Sequence, residues 1–149
     1  MVQTELQQII MNIHRDNIQK IVVAAVVLIN NAPLLLKRTT NDFMGGLVEL
    51  PSGTVEKNET ILNALYREIK EETGLQILSV EKILGTFDYV SQSGKKTRQI
   101  NFKVLTNNTP IQLSAEHCAF YTYTIDNPIF STLNISPETQ KIISQALKN

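Results

Sequence analysis

The longest apolar run in the chain, Ile21 to Ile29, is rich in β-branched residues and stops at Asn30-Asn31, which predicts a buried strand entering a turn. Leu34 to Lys37 then returns as its hairpin partner. Leu47 to Leu50 predicts another short strand, halted by a backbone turn at Pro51-Ser52-Gly53. From Glu59 the apolar period changes to a helical one. Leu62, Leu65, Tyr66 and Ile69 form one stripe of a helix running to Thr73, and Gly74 is placed to end it in a left-handed conformation. Ile77 to Val90 and Thr97 to Leu105 alternate as strands do and are joined by the polar connection Ser91 to Lys96; Ala119 to Ile125 adds a further strand. Ile142, Ile143, Ala146 and Leu147 recur at helical spacing after Ser136, an N-cap residue type, and predict a helix over 137–147. Near the start, Leu6, Ile9, Ile10 and Ile13 predict a short amphipathic helix or an ordered arm within residues 1–18.

This order of elements predicts an α/β fold layered around one mixed sheet, with residues 1–149 forming one domain, a length that supports one sizeable core. A hydrophobic fraction of 42% with 19% charged residues agrees with a packed chain. The 14 basic and 14 acidic residues cancel, so no global positive field favours stable binding to nucleic acid or to an anionic membrane. Any affinity for phosphate has to be arranged locally. Cys118, the only cysteine, has no intramolecular partner, and a reducing, cytoplasmic setting is expected. The first fifteen residues lack a secretory pattern, and Ile21 to Ile29 is too short to span a bilayer. Monomer and homodimer both remain open.

Glu68, Glu71 and Glu72 lie three and four residues apart, so they share a helix face turned on the order of 100° from the apolar stripe. As structure alone the placement is poor. Like charges repel at this spacing, roughly 3 kcal/mol per pair at about 6 Å and an effective dielectric near 20 before screening, and the negative end of the helix dipole adds to the repulsion. A divalent cation removes that penalty, and Mg²⁺ held by carboxylates keeps positions open for substrate phosphates. The other reading is a solvated acidic face balanced by Lys57, Arg67 and Lys70.

The surrounding residues weigh on that choice. Residues 53–75, GTVEKNETILNALYREIKEETGL, resemble the Nudix box, G-x5-E-x7-R-E-U-x-E-E-x-G-U with U apolar, at every specified position. The likeness extends upstream to the strand that ends in Leu50-Pro51-Ser52-Gly53. It implies an α/β/α sandwich and a Mg²⁺-dependent hydrolase, with Mn²⁺ a possible substitute, that cleaves a diphosphate bond in a nucleotide-like substrate. In that family Glu68, Glu71 and Glu72 would bind metal, joined by the main-chain carbonyl of Ser52, with Gly53 leaving that approach clear. Glu59 and Arg67 would hold the acids in position. The resemblance further implies attack by an activated water on phosphorus. The general base is either a box glutamate or a glutamate in a later loop, here Glu116.

Outside the box, Lys37, Arg38 and Arg98 are candidates for substrate phosphates, and Phe43, Tyr89 and Phe102 for stacking on a base; solvated charge and ordinary packing are the competing readings. His14 and His117 are expected at the surface, and Cys118 as a small buried apolar residue. Subgroup features narrow the substrate. No proline occurs in Phe87 to Gln92, where ADP-ribose hydrolases often carry one. A compact chain resembling MutT-like proteins therefore points first to a nucleoside triphosphate. A nucleoside diphosphate sugar of the ADP-ribose type is the second reading, and a non-catalytic nucleotide-sensing module the third.

Overall fold

The structure is a computed structural model in which residues 2–40 and 44–148 are described. Its elements are α1 (Val2–Arg15), β1 (Lys20–Ile29), β2 (Ala32–Arg38), β3 (Val48–Glu49), β4 (Ser52–Thr54), α2 (Ile61–Thr73), β5 (Ile77–Val90), β6 (Lys96–Thr106), β7 (His117–Thr122) and α3 (Pro137–Ala146), with a 3₁₀ turn at Pro128–Ser131. The strands form one mixed sheet in the order β3-β2-β1-β6-β5, with β4 added on β1 and β7 on β2. Among the described residues, no helix is long and apolar enough to cross a membrane.

Strand alternation on β1 supplies two core faces. Val23, Ala25 and Val27 pack with Leu6 and Ile13 of α1 and with Ile61, Ala64, Leu65 and Ile69 of α2. Ala24 and Val26 face the opposite way and pack with Ile142, Ile143 and Ala146 of α3. Helices on both faces of one sheet make the α/β/α sandwich that the box implied.

Turn chemistry fixes the registers. Asn30 and Asn31, at φ 50° and 67°, form the left-handed pair of a two-residue hairpin that sets Ile29 opposite Ala32. The Thr60 side chain accepts from Asn63 N at 3.1 Å to cap α2, and Gly74 closes it at φ 76°, where a Cβ would be strained. The cleft that holds the candidate site originates on β1, whose first half pairs with β6 on one side and β4 on the other. At its far end, β4 gives way to β2.

Four sequence expectations change. Pro51-Ser52-Gly53 is not only a turn, because Ser52–Thr54 extends along β1 as β4; a three-residue strand carries no period to read. Tyr66 is 42% exposed, and the buried stripe of α2 is Ile61, Ala64, Leu65 and Ile69. The last strand begins earlier, at His117, and ends at Thr122, leaving Ile125 exposed before the Asn127-Pro128 turn. Phe102 is fully buried in the α1/α2 core and therefore cannot stack on a substrate.

Candidate active site

Six strands and α2 converge on a cavity of about 320 Å³ lined by Lys20, Arg38, Glu49, Ser52, Gly53, Glu68, Glu72, Tyr89, Gln99 and Glu116 among others. A second cavity of about 520 Å³ shares Arg38, Glu49, Ser52, Tyr89 and Gln99, and reaches Phe87 and the α3 N-terminus at Ser136 and Thr139.

The acids arrive by helical geometry. Glu68 and Glu72, four residues apart, project from α2 toward β4. Glu72 is 4% exposed, and its Oε1 accepts from Ser52 N at 2.8 Å. Glu68 lies so close to Gly53 that a Cβ on residue 53 would stand 1.9 Å from the Glu68 carboxyl carbon. The space that glycine leaves is taken by the Glu68 carboxylate.

Arg67 organises the surrounding loop. Its Nε and Nη2 donate to the two carboxylate oxygens of Glu59 at 2.7 and 2.9 Å, Nη1 to Glu68 at 2.7 Å, and Nη2 to the Thr54 carbonyl at 3.0 Å. Glu59 Oε1 also accepts from Glu56 N at 3.0 Å. One guanidinium thus ties α2 to the loop behind β4, as charge-assisted forked pairing permits. It holds the Glu59 carboxyl down at about 2, with the Glu56 N–H adding to the effect.

The deeper acids show the opposite behaviour. Burial pushes Glu72 up to about 9, with Glu49, Glu68 and Glu116 adding like charge against the Ser52 hydrogen bond. Burial also raises Glu68 despite its contact with Arg67. These side chains are thus desolvated and crowded together.

The trio predicted from the helix is divided by the structure. Glu71 does not line the cavity; its side chain is 56% exposed and approaches Arg67 Nη1 at 3.3 Å. It lies about 100° around the helix from Glu72, so it turns toward solvent. Glu116 stands with Glu72 and His117, each offering a ligand atom within 4.8 Å of the others.

His117 corrects the surface expectation. It is 5% exposed, its Nε2 lies 3.0 Å from Glu49 Oε2, and its Nδ1 is buried without a hydrogen-bond partner, 4.0 Å from Glu72 Oε2. Cys118 is instead exposed, because the alternation that turns His117 inward turns its neighbour out. Arg38 lines the cavity and forks onto Glu49 at 2.7 and 3.2 Å. Tyr89 lines both cavities.

Arg98 does not join the site. Its neighbours Ile100 and Phe102, two and four residues on, belong to the α1/α2 core, whereas Gln99 faces the cavity. Its guanidinium is engaged by Asp88 at 2.7 Å and Asp16 at 3.0 Å. Phe43 falls outside the described residues. Lys20, Glu49 and Gln99 were missed by sequence reasoning. Only Lys20 and Gln99 left any trace, Lys20 as a charge at the start of an apolar strand and Gln99 as a polar residue inside one.

The donor set suits a hard divalent cation, since buried Glu72 and half-buried Glu68 offer oxygen ligands to one cavity, Gly53 leaves room for Glu68 and Arg67 holds it. A family model described as NUDIX domain matches residues 19–138. An ADP-ribose pyrophosphatase of Methanocaldococcus jannaschii is 45% identical over 67 residues, 45% of this chain, and the match spans only 38% of that protein. An RNA pyrophosphohydrolase of Campylobacter jejuni is 27% identical over 129 residues, covering 75% of this chain and 81% of that protein. The crystal structure of a MutT protein from Methanosarcina mazei Go1 is similar in fold, with a TM-score of 0.70 at 24% identity over 86% of this chain and 91% of that one.

Proposed function

The chain belongs to the Nudix family, hydrolases of phosphoric anhydride bonds, and from that premise we propose that it is a cation-dependent pyrophosphohydrolase of nucleoside triphosphates. The observation that supports this reading best is the pair of carboxylates facing one cavity, Glu72 buried and Glu68 half-buried, the latter lodged against a glycine that leaves room for it.

In this reading Glu68, Glu72 and the Ser52 main chain hold Mg²⁺, or Mn²⁺ in its place, with Glu71 completing the acidic edge beside Arg67. The cation, when bound, supplies Lewis acidity toward the phosphates and a lowered water pKa. The chain's own residues do the rest. Arg67 and Glu59 fix the rotamers of the acids through the contacts to α2 and the Thr54 carbonyl. Lys20 and Arg38 line the same cavity and provide positive charge for the phosphate tail. Tyr89 and Phe87, with ring centroids 6.1 Å apart, offer an apolar wall for the base in the adjoining cavity. Glu116 is the proposed general base, accepting a proton at its carboxylate from the attacking water; it is exposed and lines the cavity beside Glu72.

A nucleoside diphosphate sugar is the second reading, favoured by the likeness to an ADP-ribose pyrophosphatase. A substrate panel separates the two. Nucleoside triphosphates are expected to release pyrophosphate, whereas ADP-ribose and related compounds would yield two monophosphates; a 5′-triphosphorylated RNA oligonucleotide belongs in the panel because of the Campylobacter relative. Nucleotide binding without turnover of any compound in Mg²⁺ or Mn²⁺ would point instead to a sensing module. Glu72→Gln is expected to lower kcat by more than about 100-fold with its melting curve still cooperative, and near-normal turnover would remove Glu72 from the site. Glu116→Gln is expected to lower kcat by about 100-fold, and full activity would transfer proton abstraction to a box glutamate.

A further inference from the structure

His117 is a histidine more than nine-tenths buried that the hydrolase reading leaves without a task. Its Nε2 lies 3.0 Å from Glu49 Oε2, an oxygen that also accepts from Arg38 Nε at 2.7 Å. A carboxylate beside a guanidinium only accepts, so the proton of the neutral ring belongs on Nε2 and the tautomer is set by its partner. Nδ1 then presents a lone pair. That atom is buried and without a hydrogen-bond partner, and Glu72 Oε2 lies 4.0 Å away, beyond hydrogen-bond reach. Glu116 offers a third acceptor in the same group, all within 4.8 Å of one another. Three ligand atoms thus converge on one point, and neither carboxyl group hydrogen-bonds Nδ1.

The backbone fixes this convergence. His117 is set opposite Arg38 by the register of β2 with β7, and the Glu116 carbonyl accepts from Thr39 N at 3.1 Å. A bulge between Lys37 and Arg38 interrupts the ladder at this point, as bulges do where a side chain is re-aimed.

We propose that His117 Nδ1, Glu72 and Glu116 form a mixed nitrogen–oxygen site for a divalent transition-metal ion of the Mn²⁺, Fe²⁺ or Co²⁺ class, with Glu49 as the residue that orients the imidazole. The inference rests on the hydrolase reading, since Glu72 is shared with the all-oxygen set of Glu68 and Ser52, and Glu116 is the general base of that reading, a role it gives up while it ligates the transition-metal ion. These ions accept an imidazole among carboxylates more readily than Mg²⁺, which prefers an all-oxygen shell, and the preference grows from Mn²⁺ to Co²⁺. A ligating histidine whose other ring N–H is given to a carboxylate has its orientation and basicity set from behind, as the Glu49 contact provides.

Pulsed electron paramagnetic resonance of the Mn²⁺-loaded full-length protein tests this without any mutation. Modulation from a directly coupled ¹⁴N nucleus is expected, changing to the ¹⁵N pattern when the protein is grown on ¹⁵N-histidine. In His117→Gln the modulation disappears and Mn²⁺ affinity, measured by equilibrium dialysis, falls by about tenfold or more while Mg²⁺ affinity falls less. In His14→Gln, altered at an exposed position on α1, the signal remains. Absence of nitrogen coupling in the wild type, or its persistence in His117→Gln, overturns the site. Mg²⁺-dependent turnover assayed in parallel distinguishes the two readings. Turnover without nitrogen coupling removes only the nitrogen ligand, whereas failure to bind Mn²⁺ or Mg²⁺ at all removes the hydrolase reading as well.

Discussion

At Gly53 the absence of a side chain is what gives the Glu68 carboxylate its place. A methyl group there would occupy the place of the Glu68 carboxylate, and the Glu68 side chain is flexible enough to swing aside. Gly53→Ala is therefore expected to change stability by less than about 1 kcal/mol, because β4 keeps its pairing with β1, while displacing an acid from the site and lowering kcat by more than about tenfold. Thermal melts and steady-state kinetics on the same preparation check both halves, and a large loss of Tm with kcat retained would contradict the reading. Other residues in the site were harder to anticipate. Glu49 is one acid in a two-residue strand, and His117 and Cys118 exchange inside for outside with a single step of strand register. Neither fact has a local signature, because each depends on which strand lies alongside.

For the elements, α2 was legible nearly to its ends, since capping chemistry at Thr60 and Gly74 and a 3.6-residue period all coincide there. β4 was not, because Pro-Ser-Gly carries turn chemistry and its extended state comes from pairing with β1. What joins α2 to β4 is one side chain. Arg67 reaches Glu59, Glu68 and the Thr54 carbonyl at once, in a geometry that only a planar fork provides. Arg67→Lys is expected to keep the charge and lose the fork, lowering stability by about 1–2 kcal/mol and kcat by about tenfold or more. Denaturant titration together with kcat tests it, and unchanged values for both would show the network to be dispensable.

In the whole molecule, the buried acids tie folding to pH in a definite direction. Glu72 is held at about 9 by burial, with Glu49, Glu68 and Glu116 facing it and His117 alongside, against an ordinary value near 4.5. The folded state therefore keeps a proton that the unfolded chain releases. The stability linked to it is full below about pH 4.5 and is lost as pH rises toward about 9. The metal-free protein in chelator is expected to show a falling Tm across that window, and saturating Mg²⁺ to raise Tm most at its alkaline end. A Tm that rises with pH from 5 to 9 in chelator would contradict the placement of Glu72.

The exchange of partners along β1 bears on how such a molecule can vary. Because β4 flanks its first half and β2 only its last residues, the mouth of the cleft is shaped by main chain diverging from main chain. The acids hang from a helix anchored on one bank, while Tyr89 and Gln99 come from the other strands of the sheet. Under the proposed reading, replacing the second group would alter which molecule is admitted and leave the cutting edge where it was, so a lineage carrying this architecture would be free to change its diet without relearning its chemistry.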